Sequence, residues 1–312
     1  YEGFMKILIS GGAGFIGSNL CDFLIKNNHT VVVVDNLSTG SEENLRKVVN
    51  EISLYKEDIE YFDFNKIGGI DAVVHLAAQP SVPLSVTDFG RSSSSNLLGM
   101  INIIEYCRVG RIPLIYASSS AVYGNLTLGN DKDFEIDLLS PYAADKYAME
   151  IYAKISYKLY QLSSIGLRFF NVYGPRQDPS SPYSGVISIF ADRMLKGQDI
   201  TISGGYQTRD FVYVNDVVDV IYRAVKVVSK KTICEVSNVL TGESVTINDL
   251  ADQMMNIVGK KVRKEYQDLP IGDPKQSDGT TQKMASLFYI ELDNLIQLKG
   301  GLEETIKFIR NS

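Results

Sequence analysis

The chain contains no tryptophan, three cysteines, two histidines and no long apolar run. Cys21, Cys107 and Cys234 lie too far apart in the sequence to form a metal-binding or redox motif. Because histidine is also scarce, a structural zinc site is excluded and we expect no bound metal. The apolar stretches are shorter than the roughly 18 residues that a membrane-spanning helix requires, so we expect no membrane partner.

The chain also lacks an excess of positive charge, because its 37 acidic residues outnumber its 31 basic residues and give a net charge of -6. A nucleic-acid-binding surface needs a basic field, so we expect no nucleic-acid partner. An anionic ligand must instead be held by local groups. The small number of cysteines and the lack of a secretory pattern predict a cytoplasmic location. The four residues before Met5 are expected to lie outside the fold.

Apolar segments of strand length alternate with amphipathic helical segments from Met5 onward. The predicted strands are 6–10, 31–35, 71–79, 113–120 and 163–174, and the predicted helices include 96–108 and 141–160. Continuous apolar strands alternating with helices are typical of a parallel sheet covered on both faces. The sequence therefore predicts an α/β protein with a Rossmann-type doubly wound parallel sheet and a smaller α/β C-terminal substrate domain.

The length of 312 residues exceeds what one hydrophobic core usually serves, so we expect two domains. The sequence pattern changes after Gly174, where a segment rich in Pro, Ser and Gly predicts a loop and shorter helices and strands follow. We place the first domain at 5–170, with a returning segment at about 208–228, and the second domain at 171–312.

A glycine-rich turn follows the first predicted strand. Gly12, Gly14 and Gly17 satisfy the pattern G-x-G-x-x-G, and Gly11 takes part in the related pattern G-x-x-G-x-x-G. Such glycines permit a tight turn and a close approach to a pyrophosphate, which the following helix N-terminus binds through free N–H groups. Asp35 ends the next strand, where it would bind an adenosine ribose or merely terminate the strand. Because a carboxylate repels a 2′-phosphate, NAD is favoured over NADP.

Two further positions near this turn are interpreted less specifically. Asp58 and Ile59 would suit the edge of an adenine, although an acidic loop without that role would look the same. His75 lies within an apolar strand and is predicted to be a packed core histidine rather than a ligand.

The segment SPYAADKYAME places Tyr142 and Lys146 one helical turn apart, directly after Ser140 and Pro141. One interpretation is a surface pair on an amphipathic helix, and the other is a proton-transfer device. A free tyrosine has a pKa of about 10 and is a poor base near neutrality. A neighbouring ammonium, together with a bound cationic nicotinamide, would favour the phenolate and lower this pKa.

Seven motifs occur in a consistent order: GGAGFIGS, VVDN, HLAAQ, SSSAVYG at 118–124, Tyr142-x-x-x-Lys146, RFFNVYGPRQ at 168–177 and RDFVYV at 209–214. In these motifs the chain resembles the extended short-chain dehydrogenase/reductase family. It is most similar to the NAD-dependent nucleotide-sugar epimerases of the UDP-glucose 4-epimerase type. The resemblance covers nearly the whole chain from Met5.

The resemblance implies a catalytic group of Ser119, Tyr142 and Lys146. Tyr142 is the general base and acid, Lys146 tunes it and holds the nicotinamide ribose, and Ser119 relays the proton from the sugar O4. The implied reaction is 4-epimerisation of a UDP-hexose, UDP-glucose or UDP-galactose. In it, Tyr142 takes the 4-hydroxyl proton while hydride passes from C4 to NAD, and hydride returns to the opposite face of a transient 4-keto sugar.

The resemblance also implies the ligand contacts. The expected NAD contacts are Gly11, Gly14, Phe15, Ile16, Gly17, Asp35, Asn36, Ser38, Gly40, Asp58, Ile59, Leu76, Ala77, Ala78, Gln79, Asn96, Ser118, Tyr142, Lys146 and Phe169. The expected substrate contacts are Ser81, Ser119, Ser120, Tyr142, Asn171, Val186, Arg209, Asp273 and Ser277.

Alternative chemistries remain open. Family members that eliminate water place an acidic pair where this chain has Ser120 and Ala121, and alanine cannot move a proton, so dehydration is disfavoured. An NAD(P)H-dependent keto-sugar reductase would use the same Ser, Tyr and Lys, although Asp35 disfavours a phosphorylated cofactor. A catalytically silent NAD-binding regulator would not require all three residues.

The nucleotide side departs from the family pattern. Pro270 and Leu84 stand where arginines are usual, and the loop before Arg209 is one residue shorter. Arg209 would hold a diphosphate or form a structural salt bridge. Ser277 matches the position beside the sugar C2 substituent, where a small residue would leave room for an N-acetyl group. It would otherwise be an ordinary loop residue.

The resemblance further implies a homodimer. In the family, two helices from each subunit form a four-helix interface, and the corresponding segments here are about 96–108 and 141–160. The alternating Ala, Tyr and Ile residues of the second segment would suit burial.

Overall fold

The computed structural model of the chain describes residues 3–133, 135–181, 184–270 and 273–312, so Tyr1 and Glu2 of the segment before Met5 lie outside the described residues. The chain divides into two compact units. Unit 1 comprises 1–119, 140–168 and 218–237, and unit 2 comprises 120–139, 169–217 and 238–312.

This division corrects the predicted boundaries in two places. Residues 120–139 belong to unit 2, and the segment that returns to unit 1 is 218–237 rather than 208–228. The reason is strand pairing, because the strand Thr208–Tyr213 pairs on both sides with strands of unit 2. The helix that follows this strand, and not the strand itself, therefore re-enters unit 1.

The described residues contain twelve strands. They are β1 (Lys6–Ser10), β2 (Thr30–Val34), β3 (Ile52–Tyr55), β4 (Ala72–His75), β5 (Leu114–Ser119), β6 (Ser164–Phe169), β7 (Asn171–Tyr173), β8 (Ile200–Ser203), β9 (Thr208–Tyr213), β10 (Cys234–Val239), β11 (Ser244–Thr246) and β12 (Lys264–Gln267). The predicted strand at 163–174 is thus two strands, β6 and β7.

The same residues contain nine α-helices. They are α1 (Phe15–Lys26), α2 (Val82–Thr87), α3 (Phe89–Gly110), α4 (Pro141–Tyr160), α5 (Val186–Leu195), α6 (Val214–Lys230), α7 (Ile247–Val258), α8 (Gln282–Phe288) and α9 (Leu298–Asn311). Helix α4 has the predicted bounds. None of the helices within these ranges is both long enough and apolar enough to cross a membrane.

The seven-stranded sheet has the order β10-β6-β5-β4-β1-β2-β3. The pairs β1/β2, β2/β3, β1/β4 and β4/β5 are parallel. The chain starts in the middle of the sheet, runs to one edge and crosses back at β4, which is the doubly wound order. The predicted Rossmann-type α/β fold is confirmed, and its crossover point lies between the carboxyl ends of β1 and β4.

The core of unit 1 explains why these segments become strands. The last four residues of β1, the last four residues of β2 and all of β4 are buried, as expected for strands covered on both faces. Val32, Val73, Met100, Ile103 and Leu114 belong to one buried apolar cluster that joins the sheet to α3. Burial of such side chains stabilises by roughly 1.5–3 kcal/mol each.

Unit 2 has two small sheets and its own core. In the three-stranded sheet, β9 is parallel to β7 and antiparallel to β11. In the two-stranded sheet, β8 is parallel to β12. Phe190, Leu250 and Leu302 bring α5, α7 and α9 into a second buried cluster. Thr246 caps α7 by accepting the Asp249 N–H at 3.0 Å.

Candidate active site

The glycine turn between β1 and α1 has no room for side chains. A Cβ on Gly17 would lie 2.2 Å from the Gly11 carbonyl oxygen, and a Cβ on Gly12 would lie 2.6 Å from Val33. Gly11 has a φ of 75° and approaches the Ala77 backbone, so a side chain there would be both strained and blocked. The sequence needs glycine at these positions so that the backbone can turn tightly at the crossover of the sheet.

This turn fits a pyrophosphate. Helix α1 begins after Gly14 without a side-chain cap, so its first N–H groups have no side-chain acceptor. Asp35 accepts the Ala13 N–H through Oδ2 and the Leu37 N–H through Oδ1, each at 2.8 Å. Each carboxylate oxygen has a second lone pair, so Asp35 can fix the turn and still accept ribose hydroxyls. The residues present therefore fit the adenosine diphosphate half of NAD.

The pKa of Asp35 is raised by burial and lowered by its bonds to the Leu37 and Ala13 N–H groups, with burial the largest of these effects. Nearby, Asn36 donates to Asp58 Oδ2 at 3.1 Å and accepts the Ser38 N–H at 3.0 Å. The structure thus joins Asn36, Ser38 and Asp58 in one polar group beyond β2.

Two other predicted contacts have structural roles of their own. Gly40 packs against the Ala13 backbone, because a Cβ there would lie 2.8 Å from the Ala13 carbonyl carbon. Ile59 lies in the apolar core of unit 1, and its carbonyl accepts Asn102 Nδ2 at 2.8 Å. The adenine contact of Ile59 stays a prediction.

The segment Leu76–Gln79 leaves β4 beside the glycine turn. The Leu76 N–H donates to the Ser10 carbonyl at 3.0 Å, and the Ala77 N–H donates to Ser10 Oγ at 3.4 Å. At its end, the Gln79 N–H donates to Asn96 Oδ1 at 2.8 Å. Asn96 is fully buried in α3, so its amide holds this segment in place.

Helix α4 begins where the Ser-Pro pair predicts. Ser140 accepts the Ala143 N–H at 3.2 Å, and Pro141 occupies the first turn, where a missing N–H costs nothing. The Tyr142 N–H donates to Ser85 Oγ in α2 at 3.1 Å. The start of α4 is therefore fixed both by its own cap and by α2.

The structure brings the three predicted catalytic residues together. The Tyr142 side chain hydrogen-bonds with the Ser119 side chain at the end of β5. Lys146 is buried one turn further along α4, with its Nζ 5.7 Å from the centre of the Tyr142 ring and donating to the Ala117 carbonyl at 2.8 Å. The alternative of an exposed surface pair is therefore wrong.

The lowering of the Tyr142 pKa by Lys146 together with a bound cationic nicotinamide stays a prediction. In the protein itself the pKa of Tyr142 is raised, chiefly by burial, while the Ser119 bond lowers it and Asp145 raises it. Burial also lowers the pKa of Lys146 to about 8, against an opposing effect of Asp145. Desolvation is the largest of the effects on both groups in the protein itself.

His75 and Ser118 use their side chains within the fold. His75 is buried, as predicted, and its Nδ1 hydrogen-bonds with Ser10 Oγ at 2.6 Å, while burial lowers its pKa to about 3. Ser118 donates to Glu150 at 2.5 Å, and Glu150 forms a buried bidentate pair with Arg168 at 2.7 and 2.8 Å. The Ser118 hydroxyl is thus occupied by the protein, and its NAD contact stays a prediction.

In unit 2, the predicted diphosphate contact Arg209 lies in β9 and is partly buried. Burial lowers its pKa, whereas the nearby Asp273 raises it, and Arg209 in turn lowers the pKa of Asp273 against the larger effect of burial. Arg209 Nη1 donates to the Thr208 carbonyl at 2.8 Å. Asn171 on the paired strand β7 donates to the Asp210 carbonyl at 3.1 Å. Arg209 and Asp273 thus form a charge pair, and Asn171 is held separately by the backbone of β9.

The remaining predicted contacts lie on separate elements. Ser81 caps α2 by accepting the Leu84 N–H at 3.1 Å, Ser120 begins a short 3-10 helix, and Val186 is the first residue of α5. Phe169 ends β6 and is buried, and Ser277 is partly buried in the segment after Asp273. The ligand roles of all five stay predictions.

Sequence reasoning missed two polar residues that hold this site. Ser85 binds the Tyr142 N–H, and the buried Asp145 accepts Asn96 Nδ2 at 3.1 Å. A signal for Asp145 existed, since it lies on the same helical stripe as the buried Met149 and Ala153. No signal marked Ser85, because its partner is 57 residues away. Among the described residues, no cluster of His, Cys, Asp and Glu could hold a metal ion.

Comparison with known proteins places these features in a family. The profile of the NAD dependent epimerase/dehydratase family matches residues 7–239. A putative UDP-glucose 4-epimerase of Methanocaldococcus jannaschii is 37% identical over 310 residues, which cover 98% of this chain and 99% of that protein.

Two solved structures are similar over nearly their whole length. A UDP-N-acetylglucosamine 4-epimerase from Methanobrevibacter ruminantium, in complex with UDP-N-acetylmuramic acid, has a TM-score of 0.90 and 34% identity, with 98% of each chain covered. A UDP-glucose 4-epimerase from Thermotoga maritima, with UDP-glucose, also has a TM-score of 0.90 and 34% identity, with 98% of this chain and 99% of that one covered. The chain therefore belongs to the NAD-dependent epimerase/dehydratase family.

Proposed function

We propose that the protein interconverts UDP-hexoses that differ in configuration at C4, through a transient 4-keto sugar. The observation that carries this proposal is the hydrogen bond between the Ser119 and Tyr142 side chains, with Lys146 buried one turn away. A surface role would not require a desolvated phenol, a hydroxyl and an ammonium at the end of a central strand. The UDP-sugar 4-epimerases to which the chain is similar support the same reaction class.

The chain's own groups would perform the proton transfer. When bound, NAD supplies a hydride acceptor and donor, as well as a positive charge near the phenol. Tyr142 takes the proton from the sugar O4 and later returns it, and the Ser119 hydroxyl relays that proton. Lys146 holds a nicotinamide ribose and contributes positive charge, while its bond to the Ala117 carbonyl fixes its position. Since no net oxidation occurs, the cofactor need not leave.

Unit 2 would supply the groups that hold the nucleotide. We infer that Arg209 and Asn171 bind the diphosphate, since a desolvated diphosphate requires charge-assisted donors. Asp273 lies close enough to Arg209 to shift its pKa, so it would orient the guanidinium. Pro270 and Leu84 cannot replace the arginines usual in the family, so the site would rely heavily on Arg209.

The proposed substrates include both plain and N-acetylated sugars. Ser277 has a small side chain at the position that would face the sugar C2 substituent, which leaves volume for an acetamido group. The similar proteins named above act on UDP-glucose and on UDP-N-acetylglucosamine, which supports this range. We infer that this chain accepts both.

A keto-sugar reductase is the second candidate. It would use the same Ser119, Tyr142 and Lys146, but it would consume reduced cofactor in each turnover. The buried carboxylate of Asp35 favours NAD over the phosphorylated cofactor that such reductases usually exchange. We therefore rank the epimerase first.

We further infer a homodimer formed through α3 and α4. Both helices expose large apolar side chains, at Leu98 and Ile101 in α3 and at Ile151, Ile155 and Leu159 in α4, with exposed fractions between 40% and 66%. An exposed apolar stripe of this kind is typical of a subunit interface. Sedimentation velocity tests this inference, and a monomer at micromolar concentration would overturn it.

One experiment tests the function. The bound cofactor is released and identified, and UDP-glucose, UDP-galactose and their N-acetyl forms are then followed by NMR without added nucleotide. Inversion at C4 with an unchanged redox state of the cofactor supports the epimerase. Turnover only with added NAD(P)H supports the reductase, and no turnover of any of the four sugars contradicts both.

A further inference from the structure

A chain of hydrogen bonds links two points in the first two turns of α4, and α4 itself closes this chain into a ring. The ring leaves α4 at Asp145, passes through α3, the segment after β4 and α2, and returns to α4 at Tyr142. We name it the α4 ring; its members are Asp145, Asn96, Gln79, Ser81, Ser85 and Tyr142.

The first half of the ring joins α4 to the segment after β4. Asn96 donates through Nδ2 to Asp145 Oδ2 at 3.1 Å and accepts the Gln79 N–H through Oδ1 at 2.8 Å. Asp145 and Asn96 are both buried. Hydrogen bonds to a buried carboxylate are stronger than neutral ones, and a buried partner left without one is costly.

The second half returns through α2. Gln79 Oε1 accepts the Ser81 N–H at 2.8 Å, and Gln79 Nε2 donates to the Ser81 carbonyl at 3.2 Å. Ser81 caps α2, and Ser85 in that helix accepts the Tyr142 N–H at 3.1 Å. The backbone of the proton-transfer tyrosine is thus held from α2, and the next turn of its helix is held from α3.

We propose that Asp145 is a positioning residue, which closes the α4 ring and thereby sets the place of the Tyr142 hydroxyl and the Lys146 ammonium. This proposal rests on the proposed function for its kinetic consequence. Reacting groups must be held to within about 0.5 Å, and a displacement of about 1 Å can cost about 100-fold in rate. A ring that fixes α4 at two points one turn apart prevents the helix from rotating or sliding.

The charge of Asp145 does not account for this role. Its carboxylate raises the pKa of Lys146, which keeps the ammonium charged, but it also raises the pKa of Tyr142, which opposes ionisation. Other ionisable groups around this turn are His75 on β4, whose pKa is about 3, and the Glu150–Arg168 pair. The Asp145 charge thus favours the charged form of Lys146 but disfavours the ionised form of Tyr142, and these two consequences for catalysis oppose each other. We therefore attribute the role of Asp145 to the position that it gives α4.

Two substitutions of Asp145 separate geometry from charge. Asp145→Leu removes both the acceptor and the charge, and we expect kcat to fall about 100-fold with KM changed less than about threefold. Asp145→Asn keeps an oxygen that can accept from Asn96, so we expect a loss within about tenfold. In a plot of kcat against pH, the Asp145→Asn enzyme should reach its maximum at a lower pH than the parent, because the negative charge that raises the Tyr142 pKa is removed. Glu51→Gln, which removes an exposed acid of unit 1, is the matched control.

Ser85→Ala opens the ring at its other end without disturbing helix propensity. We expect kcat to fall about tenfold, and the double variant with Asp145→Leu to be no slower than Asp145→Leu alone, because one ring can be opened only once. Multiplicative losses, or an Asp145→Leu enzyme with kcat within twofold of the parent, would overturn the proposal. If Asp145→Leu does not fold, Ser85→Ala decides, and a Ser85→Ala enzyme with kcat within twofold of the parent would overturn the proposal.

Hydrogen exchange provides a readout that does not depend on the reaction. The amides of Gln79 and Tyr142 are donors in the ring, so peptides that contain them should exchange faster in Asp145→Leu and Ser85→Ala than in the parent or in Glu51→Gln. Unchanged exchange in both variants would refute the ring itself. A parent protein that epimerises no UDP-hexose but shows the exchange pattern would refute the proposed function and leave the ring supported.

Discussion

The two units of the molecule organise their polar residues in different ways. In unit 1 the predicted catalytic residues and their neighbours form a continuous network, from Ser119 through Tyr142 to the α4 ring. In unit 2 the predicted contacts Asn171, Val186 and Ser277 lie on separate elements, and Arg209 has its own acidic neighbour. The proposed proton-transfer groups of unit 1 are therefore held in a fixed geometry, whereas the proposed contacts of unit 2 are independent of one another and can change one at a time.

This comparison predicts different kinetic signatures for the two units. Substitutions in this network of unit 1 should lower kcat, because they act on the groups that we propose to transfer the proton. Substitutions in unit 2 should raise KM or change the choice of sugar, because they act on binding.

The largest effect is expected from Tyr142→Phe. We expect kcat to fall about 1000-fold, within the range for loss of a general acid–base group, because no other hydroxyl occupies the same place. The Tyr142 N–H bond to Ser85 uses the backbone and is retained, so the melting temperature should stay within about 2 °C. Tyr147→Phe in the same helix is the control. A Tyr142→Phe enzyme with near-normal turnover would contradict the assignment.

The next effect concerns stability. Lys146 has a pKa of about 8 in the folded protein against 10.5 for the free side chain, so the unfolded chain binds more protons between these values. The free energy of unfolding should therefore rise as the pH increases from 8 to 10.5, by about 3 kcal/mol at most. Lys146→Met should lack this rise. Urea unfolding of both proteins at pH 7.5 and 10 measures the difference, and parallel pH dependence would show that burial does not penalise the lysine.

A smaller effect is expected from Arg209→Met in unit 2. Loss of a charge-assisted bond to a diphosphate should raise KM for a UDP-sugar about 30-fold while kcat stays within about threefold. Arg263→Met, at an exposed arginine of the same unit, is the control. An unchanged KM would mean that Arg209 serves only its pairing with Asp273, and a fall in kcat alone would break the contrast between the units.

The smallest effect is expected from Ser277→Tyr. A larger side chain beside the sugar C2 substituent should lower kcat/KM for the N-acetylated sugar relative to the plain sugar by about tenfold, through steric exclusion. Ser277→Ala should leave this ratio unchanged. If the tyrosine variant also leaves it unchanged, Ser277 does not contact the sugar.

Local patterns in the sequence predicted most of unit 1. The glycine turn, the Ser-Pro start of α4 and the pair Tyr142 and Lys146 depend on residues close together in the chain, so spacing alone indicates them. The missed strand β3 has only four residues, and the missed helix α2 contains Pro83 in its first turn. Short elements of this kind give no clear periodicity.

Features that depend on distant residues could not be predicted. Residues 120–139 belong to unit 2 in part because Asp131 accepts the Asn238 N–H, 107 residues along the chain, at 2.8 Å. The ring partner Ser85 was missed for the same reason. The rise of the Tyr142 pKa in the protein itself could not be predicted either, because desolvation depends on packing, which the order of residues does not reveal.

The buried pair of Glu150 and Arg168 sets a practical rule for engineering. Arg168 is the last residue of unit 1 before the chain passes into unit 2 at Phe169. A chimera that takes unit 2 from a relative, with one junction between 168 and 169 and with 218–237 retained, would keep both members, whereas a junction between 150 and 168 would leave Glu150 without its partner. An uncompensated buried charge costs about 3–5 kcal/mol, which is a large part of the stability of a typical domain. One residue in the choice of junction can therefore decide whether such a hybrid folds.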